Sequence, residues 1–457
     1  MNLEGHYTYK KLLKFTIPTM IMMICISLYT VVDGLFVSNV AGNTAFSALN
    51  FAYPVIALPA VFGLLFGTGG AALTSKYFGE GNIKKGNQIF SMLFYIMLIL
   101  SLILLCIFFF LMKPILSLLG ANEDILPLAT TYGKIMILGL PFLMSMYFFQ
   151  SYMIVAGKPN LSFIFSIFSG LVNVLGDFLL IYVFKFGIKG AAIATVASES
   201  LGLILPVLYL LSKKAKTDLR FTKFVFNKKD FIISSTNGLS EMISNLASSL
   251  VAIIFNAQLI KYFGDNGVSA YGTIQYVGFV FTGIYYGFAS GISTLIAYNY
   301  GKDDKFELKS LFKKSITLYL IFQIVLATLT ILSSNFVSIA FSNNNTELKN
   351  LTSRAIKLYA TSYYLSGFNL FASALFTSYN NGLISGLLSI LRTFIFQIAT
   401  IFLSIAILGY NYIWLSVLFS EVLSFILSSI FVIKYGKKYG YLMTNFELNS
   451  YYKNKQA

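Results

Sequence analysis

SKKAKTDLRFTKFVFNKKD, residues 212–230, is the longest polar stretch in this 457-residue chain, and it carries seven of the 33 lysines and arginines. Its place decides the fold. On each side the sequence reads as six long apolar segments. Those before it run over roughly 11–40, 45–77, 88–112, 126–156, 160–184 and 189–212, and those after it over 230–262, 267–300, 310–341, 351–379, 382–408 and 411–434. About 20 apolar residues cross a bilayer as a helix, because hydrocarbon offers the backbone no hydrogen-bonding partner and a helix supplies its own. The expectation is therefore an all-α integral membrane protein with twelve transmembrane helices.

Composition agrees. The chain is 57% hydrophobic and 11% charged, with mean hydropathy +0.76, whereas soluble domains are about half apolar and about a quarter charged. A soluble domain is excluded. The formal charge of +16 suits an anionic partner or a membrane protein, and the basic residues lie between apolar runs rather than on a polar face, which excludes a nucleic-acid binder. Lys10, Lys11 and Lys14 before the apolar run 15–32 imitate a secretory leader, but the run is long enough to cross and ends in no small-x-small cleavage site. It reads as a retained first span. Cys25 and Cys106 both lie in apolar runs, so neither a disulfide framework nor a thiolate metal site is expected.

Loops rich in Lys and Arg stay in the cytoplasm. With both termini inside, 24 of the 33 basic residues fall on the cytoplasmic side and eight outside, namely Lys113, Lys134, Lys185, Lys189, Lys261, Lys349, Arg354 and Lys357, while Arg392 lies within a span. This places the chain in a bacterial inner (cytoplasmic) membrane as a multi-pass protein.

The two halves repeat. At an offset of 222, Ser47, Ala48, Phe66, Gly69, Leu73 and Gly79 meet Ser269, Ala270, Phe288, Gly291, Leu295 and Gly301; at 223, Lys134, Phe148, Ser162, Ser166, Ile167 and Lys214 meet Lys357, Phe371, Ser385, Ser389, Ile390 and Lys437. A near-constant offset between halves is a signature of transporter folds. Six spans bring the second half in with the orientation of the first, so the pseudo-axis follows the membrane normal and a cleft between two six-helix bundles is the natural substrate site. The expected division is a first lobe over 1–211, a cytoplasmic linker over 212–230, and a second lobe with a cytoplasmic tail over 231–457.

Five acids fall within spans: Asp33, Asp177, Glu199, Glu241 and Glu421. Intramembrane carboxylates are costly and mark function by default, the bland alternative being interhelical glue. Tyr29 and Asp33, Asn173 and Asp177 in NVLGDF, and Thr195 and Glu199 in GAAIATVASE each stand four residues apart, on one helix face. Two carboxylates, an amide and a hydroxyl suit a proton or a small hard cation such as Na+, and two close carboxylates repel in low dielectric. The second half lacks this set, since Asn173 and Asp177 align with Phe396 and Thr400. All eight prolines, Pro18 among them, precede the midpoint and are expected to bend the first lobe. Glu241 in GLSEMISN either faces the cleft or caps its helix. Gln150, Asn256 and Gln275 are further polar cleft candidates. Arg392 and Glu421 are placed to pair between spans eleven and twelve, and the 30 Tyr and 45 Phe offer surfaces for flat cations.

No G-x-x-x-x-G-K-[ST] phosphate loop occurs, and GTGGAALTSK lacks its spacing. The sole histidine, His6, precedes the first span, so no His-based metal site or triad is available in the membrane. Neither an enzyme nor an organic cofactor is expected.

These residues resemble the multidrug and toxic-compound extrusion (MATE) family, most closely its MepA-like bacterial branch. The resemblance covers nearly the whole chain and is carried by Pro18 and Asp33 in span one, the NxxxD of Asn173 and Asp177, Thr195, the G-x-S-E of Gly238 to Glu241, and the link between spans six and seven. It implies two pseudo-symmetric bundles and a monomeric antiporter that exports organic cations or drugs by alternating access, driven by H+ or Na+. The implied ion site is Asp33, Asn173, Asp177 and Thr195, with Na+ as the metal. Tyr29 and Gln150 fall at positions that resemble drug-contacting ones, and the cleft set is completed by Glu199, Glu241, Asn256 and Gln275. A flippase of the same superfamily for lipid-linked precursors, or a non-transporting membrane sensor or structural protein, are the alternatives.

Overall fold

The computed structural model describes residues 3–41, 43–341 and 345–456, and among them every regular element is a helix. Among the described residues nine helices are long and apolar enough to cross a membrane. One of these, Lys228–Lys302, has 75 residues and is interrupted at Gly264, where φ is 58° and ψ −150°. The chain reverses there: the rings of Phe255 and Tyr271 lie 4.7 Å apart, whereas 16 residues of straight helix would separate them by about 24 Å. A positive φ is open to glycine at little cost, so Gly264 lets spans seven and eight form one hairpin.

Two spans are broken. Ile125–Leu138 and Leu140–Val155 meet at a bend of 54° and form span four. Thr346–Ala360 and Tyr363–Ser378 form span ten. With Tyr9–Phe36, Asn43–Gly79, Ile83–Leu118, Pro159–Val183, Ile188–Leu211, Lys305–Phe341, Gly382–Leu408 and Tyr410–Tyr439, the spans number twelve, in two bundles of six. The breaks at Gly139 and Ser362 are 223 residues apart, on the offset of the repeat. Pro141 follows the first break, but no proline accompanies the second, so the architecture and not proline alone imposes it. Span one runs as helix through Pro18, which has no N–H for the Lys14 carbonyl. Cys25 and Cys106 are both free.

The linker is stapled to the first bundle. Asn87 of span three donates to the Asp218 carbonyl at 2.9 Å and accepts from Arg220 N at 2.9 Å, and Phe221 packs on Phe90 and Phe94. Span seven starts at Lys228, where Asn227 caps it by accepting from Asp230 N. One hydrophobic core is built from spans two to six. A second is built from spans eight to twelve together with Leu3, Tyr7, Leu12, Phe15 and Met20, so the N-terminal half of span one is buried against the second bundle, and a third gathers spans seven, eight and ten to twelve around Trp414.

At the lysine-rich end the bundles close on one another through glycines. A Cβ at Gly69 would fall on the Ser234 carbonyl, and one at Gly238 on the Leu65 carbonyl. Likewise Gly79 abuts the Tyr298 carbonyl and Gly301 the Lys76 carbonyl. Gly79 and Gly301, and Lys76 and Tyr298, are 222 residues apart, so this crossing of spans two and eight is itself pseudo-symmetric. Span one joins it: Thr19 donates its hydroxyl to the Gly287 carbonyl at 2.7 Å. Further ties at this end are Lys85 to Asp230 at 3.5 Å, Tyr7 N to Glu307 at 2.9 Å, and the short tail helix Asn445–Gln456, whose Tyr451 donates to Asp303 at 2.6 Å.

Candidate functional site

Where the bundles meet, above the glycine crossings, a cavity of about 330 Å³ opens, within the usual range of about 300–1,000 Å³ for small-molecule sites. Spans one, two and four of the first bundle and spans seven, eight and ten of the second supply its wall. Among the described residues Glu241 is the one charged side chain lining it. Its span continues the wall one and two turns on with Ser244, Asn245 and Ser248, and span eight adds Thr282, Tyr286, Ser290 and Thr294 at helical spacing. Tyr147 and Gln150 face these from span four, and the Gln150 Nε2 is buried without a partner. The cavity is thus one carboxylate in a field of hydroxyls, amides and aromatic edges.

Gln150 and Glu241 line this cavity; Tyr29, Glu199, Asn256 and Gln275 do not. Asn256 sits in span seven with a buried, unpartnered Oδ1, and Gln275 donates to the Tyr271 hydroxyl at 2.8 Å within the second bundle. Ser244, Asn245, Ser248, Thr282, Tyr286, Ser290 and Thr294, which do line the cavity, were not singled out from the sequence.

Behind the cavity, in the first bundle, spans one, five and six gather the other candidates. Asn173 is 1% exposed, Asp177 0% and Glu199 6%. Small residues bring the helices close: a Cβ at Gly176 would touch Ala194, and one at Gly170 would touch Tyr29. Asn173 donates to the Thr195 hydroxyl at 3.2 Å, which itself donates to the Ala191 carbonyl at 3.0 Å. Across the helices the carboxyls of Asp33 and Asp177 lie close enough to interact, and Glu199 lies within electrostatic range of Asp33 and Tyr29. Asp33, Asn173, Asp177 and Thr195 therefore converge.

What this cluster lacks is positive charge. Among the described residues, Asp33 Oδ1, Asn173 Oδ1, both Asp177 oxygens and Glu199 Oε2 are buried with no donor, and each orphaned carboxylate oxygen in such a place carries a desolvation cost. All five are acceptors. Among the described residues no three His, Cys, Asp or Glu side chains form a metal cluster, so a metal here would draw on the Asn173 amide and the Thr195 hydroxyl as well as on Asp33 and Asp177. Oxygen donors of this kind fit a hard cation or a proton.

The sequence pattern of the MatE family matches this chain twice, over residues 18–179 and 241–403. The chain belongs to the MatE family. The two matches begin 223 residues apart, on the offset that relates the bundles. Among its relatives is the multidrug export protein MepA of Staphylococcus saprophyticus, 24% identical over 426 residues and 92% of each chain; MepA of Staphylococcus aureus is 23% identical over 425 residues, again 92% of each. A solved MATE family multidrug resistance transporter of the MOP superfamily, in an outward-facing conformation, superposes with a TM-score of 0.87 at 21% identity, covering 96% of this chain and 97% of the other. MatE members are membrane transporters rather than enzymes. In this MatE chain the cavity spans both repeats, whereas the carboxylate cluster belongs to the first alone.

Proposed function

We propose that this chain is a secondary active exporter that expels cationic or amphipathic organic compounds in exchange for H+ or Na+. The observation that carries the reading is the separation of two unlike sites: a cavity shared by both bundles with Glu241 in its wall, and a buried acceptor cluster in one bundle that no side chain among the described residues neutralises. Among the described residues the cavity wall has no Lys or Arg, which favours a cationic cargo over an anionic lipid-linked precursor. The export named for the MepA relatives is consistent with this.

A positive charge between Asp33 and Asp177 supplies the missing donor. Loading either a proton or Na+ there lets spans one and five approach; its departure leaves the two carboxylates repelling, which favours their separation. Span one carries this change to the second bundle, because its other half is packed there at Thr19, Met20 and the Gly287 carbonyl. Positive charge in the connections sets the lysine-rich end in the cytoplasm, so closure at that end makes the described conformation outward-facing, with the cavity reached from outside.

Asp33→Asn and Asp177→Asn keep the size and remove the charge. Both should abolish cation-gradient-driven efflux of ethidium from proteoliposomes while the proteins still elute as folded monomers. Separate pH and Na+ gradients identify the coupling ion, and undiminished efflux by both variants would end the ion-site reading.

A further inference from the structure

Span ten enters the membrane through the helix Thr346–Ala360, at the end away from the linker. Three of the eight basic residues assigned to that end lie on it: Lys349, Arg354 and Lys357. With Asn335 of span nine and Asn350 and Ser353 of the same helix they line a recess of about 420 Å³. None of the three bases forms an ion pair among the described residues. Lys349, Ser353 and Lys357 follow one another at four-residue spacing, on one helix face.

The recess is built and it sits at the membrane boundary. Arg354 lies over the ring of Tyr412, 5.2 Å from its centre, and Tyr412 stands beside Tyr410, which stacks on Tyr262. Half-exposed tyrosines at span ends mark the headgroup level. The Ser353 hydroxyl donates to Asn335 Oδ1, which commits that oxygen as an acceptor and leaves the amide N–H as a donor. One turn deeper on span nine is Leu332, 75% exposed, and beside Asn335 is Phe336, 77% exposed. Unpaired bases, amide donors and a guanidinium fork suit a phosphate; an apolar wall immediately beneath suits acyl chains.

We propose that this recess binds the phosphate of an anionic phospholipid, with its acyl chains along Leu332 and Phe336. Basic side chains opposing the charge asymmetry of the loops are thereby given a partner in the bilayer itself. The site is independent of the cavity and of the carboxylate cluster.

The test uses the purified full chain in detergent, titrated with dioleoylphosphatidylglycerol, dioleoylphosphatidylcholine or inorganic phosphate, with binding read by native mass spectrometry and thermal shift. The combined variant Lys349→Gln, Arg354→Gln, Lys357→Gln should weaken phosphatidylglycerol binding by roughly tenfold or more, and Arg354→Gln alone by a smaller factor if the combined variant does not fold. Lys185→Gln with Lys189→Gln, bases of the same end outside the recess, should leave it unchanged. Wild-type affinity in the Arg354 or combined variant, an equal loss in the Lys185 and Lys189 control, or phosphatidylcholine binding as tightly would overturn the proposal. Inorganic phosphate binding as tightly as the lipid would replace it with a soluble-anion site.

Discussion

Arg392 and Glu421 meet inside the second bundle, Nη2 to Oε1 at 2.8 Å with Nε at 3.1 Å, and Asn369 donates to the same carboxylate at 2.6 Å. Side-chain exposures of 18% and 7% leave little water to replace a lost partner. Arg392→Met should therefore cost about 3–5 kcal/mol by stranding a buried carboxylate, and adding Glu421→Gln should recover much of it; denaturant unfolding in detergent gives the comparison, and a silent Arg392→Met would refute the structural role. Glu447 in the tail behaves oppositely because it is exposed. The Thr444 backbone N–H and then the Lys437 ammonium hold its carboxyl down to about 2, from an ordinary value of 4.5. A depressed carboxyl contributes stability above its unfolded value and loses it as pH falls through the folded one. The tail cap should stay formed at pH 5 and be released progressively from about 4.5 towards 2, visible as faster amide exchange over 445–456, while Glu447→Gln should speed exchange at neutral pH. At this scale much of the carboxylate cluster was legible, because Asn173 and Asp177 four residues apart must share a helix face. The cavity hydroxyls were not. Ser and Thr abound in these spans and commonly bond their own helix, as Ser248 does to the Ser244 carbonyl and Thr282 to the Gly278 carbonyl, so nothing in their local pattern distinguishes a cavity wall from a satisfied helix.

At the lysine-rich end the bundles meet by backbone contact at glycines as well as by side-chain packing such as Phe66 on Phe231. Gly69, Gly79, Gly238 and Gly301 occupy places where any Cβ would strike a carbonyl of the opposing bundle, the close approach that small residues permit between membrane helices. Gly79→Leu or Gly301→Leu should therefore prevent closure of the lysine-rich end without unfolding either bundle. Spin labels at the exposed Lys84 and Lys313 should report a longer, broader distance than in the parent protein, and transport should fall with it; an unchanged distance would separate these glycines from closure. The repeat made Gly79 and Gly301 visible as a matched pair in the sequence. That each lies on the other's helix is not in the sequence, since equivalence in a repeat does not imply contact. The same limit applies to the breaks in spans four and ten: proline drew attention to the first, while the second, at Thr361 and Ser362, has no local residue to announce it.

Across the whole molecule, twelve helices form two six-helix bundles that touch closely at one end and enclose a cavity beyond it. The carboxylate cluster lies in one bundle only, and span one, which carries Asp33 and packs on the second bundle at Thr19, is the route by which the proposed coupling would reach the cavity. Cutting that connection should uncouple transport and leave both bundles intact. Thr19→Val removes the hydroxyl that donates to the Gly287 carbonyl; it should slow gradient-driven efflux by several-fold while equilibrium binding of ethidium, followed by fluorescence anisotropy, stays near the parent value. The sequence by itself determined the membrane class, the twelve crossings, the repeat and which acids lie buried in the first bundle, because lipid forces each crossing to be an apolar helix and makes every buried acid conspicuous. Only the tertiary structure decided which polar residues face the shared cavity, that half of span one belongs to the second bundle's core, and which end is sealed. Those facts depend on the rotation and approach of whole helices, which are set by packing between segments far apart in the chain and leave no mark on any one of them.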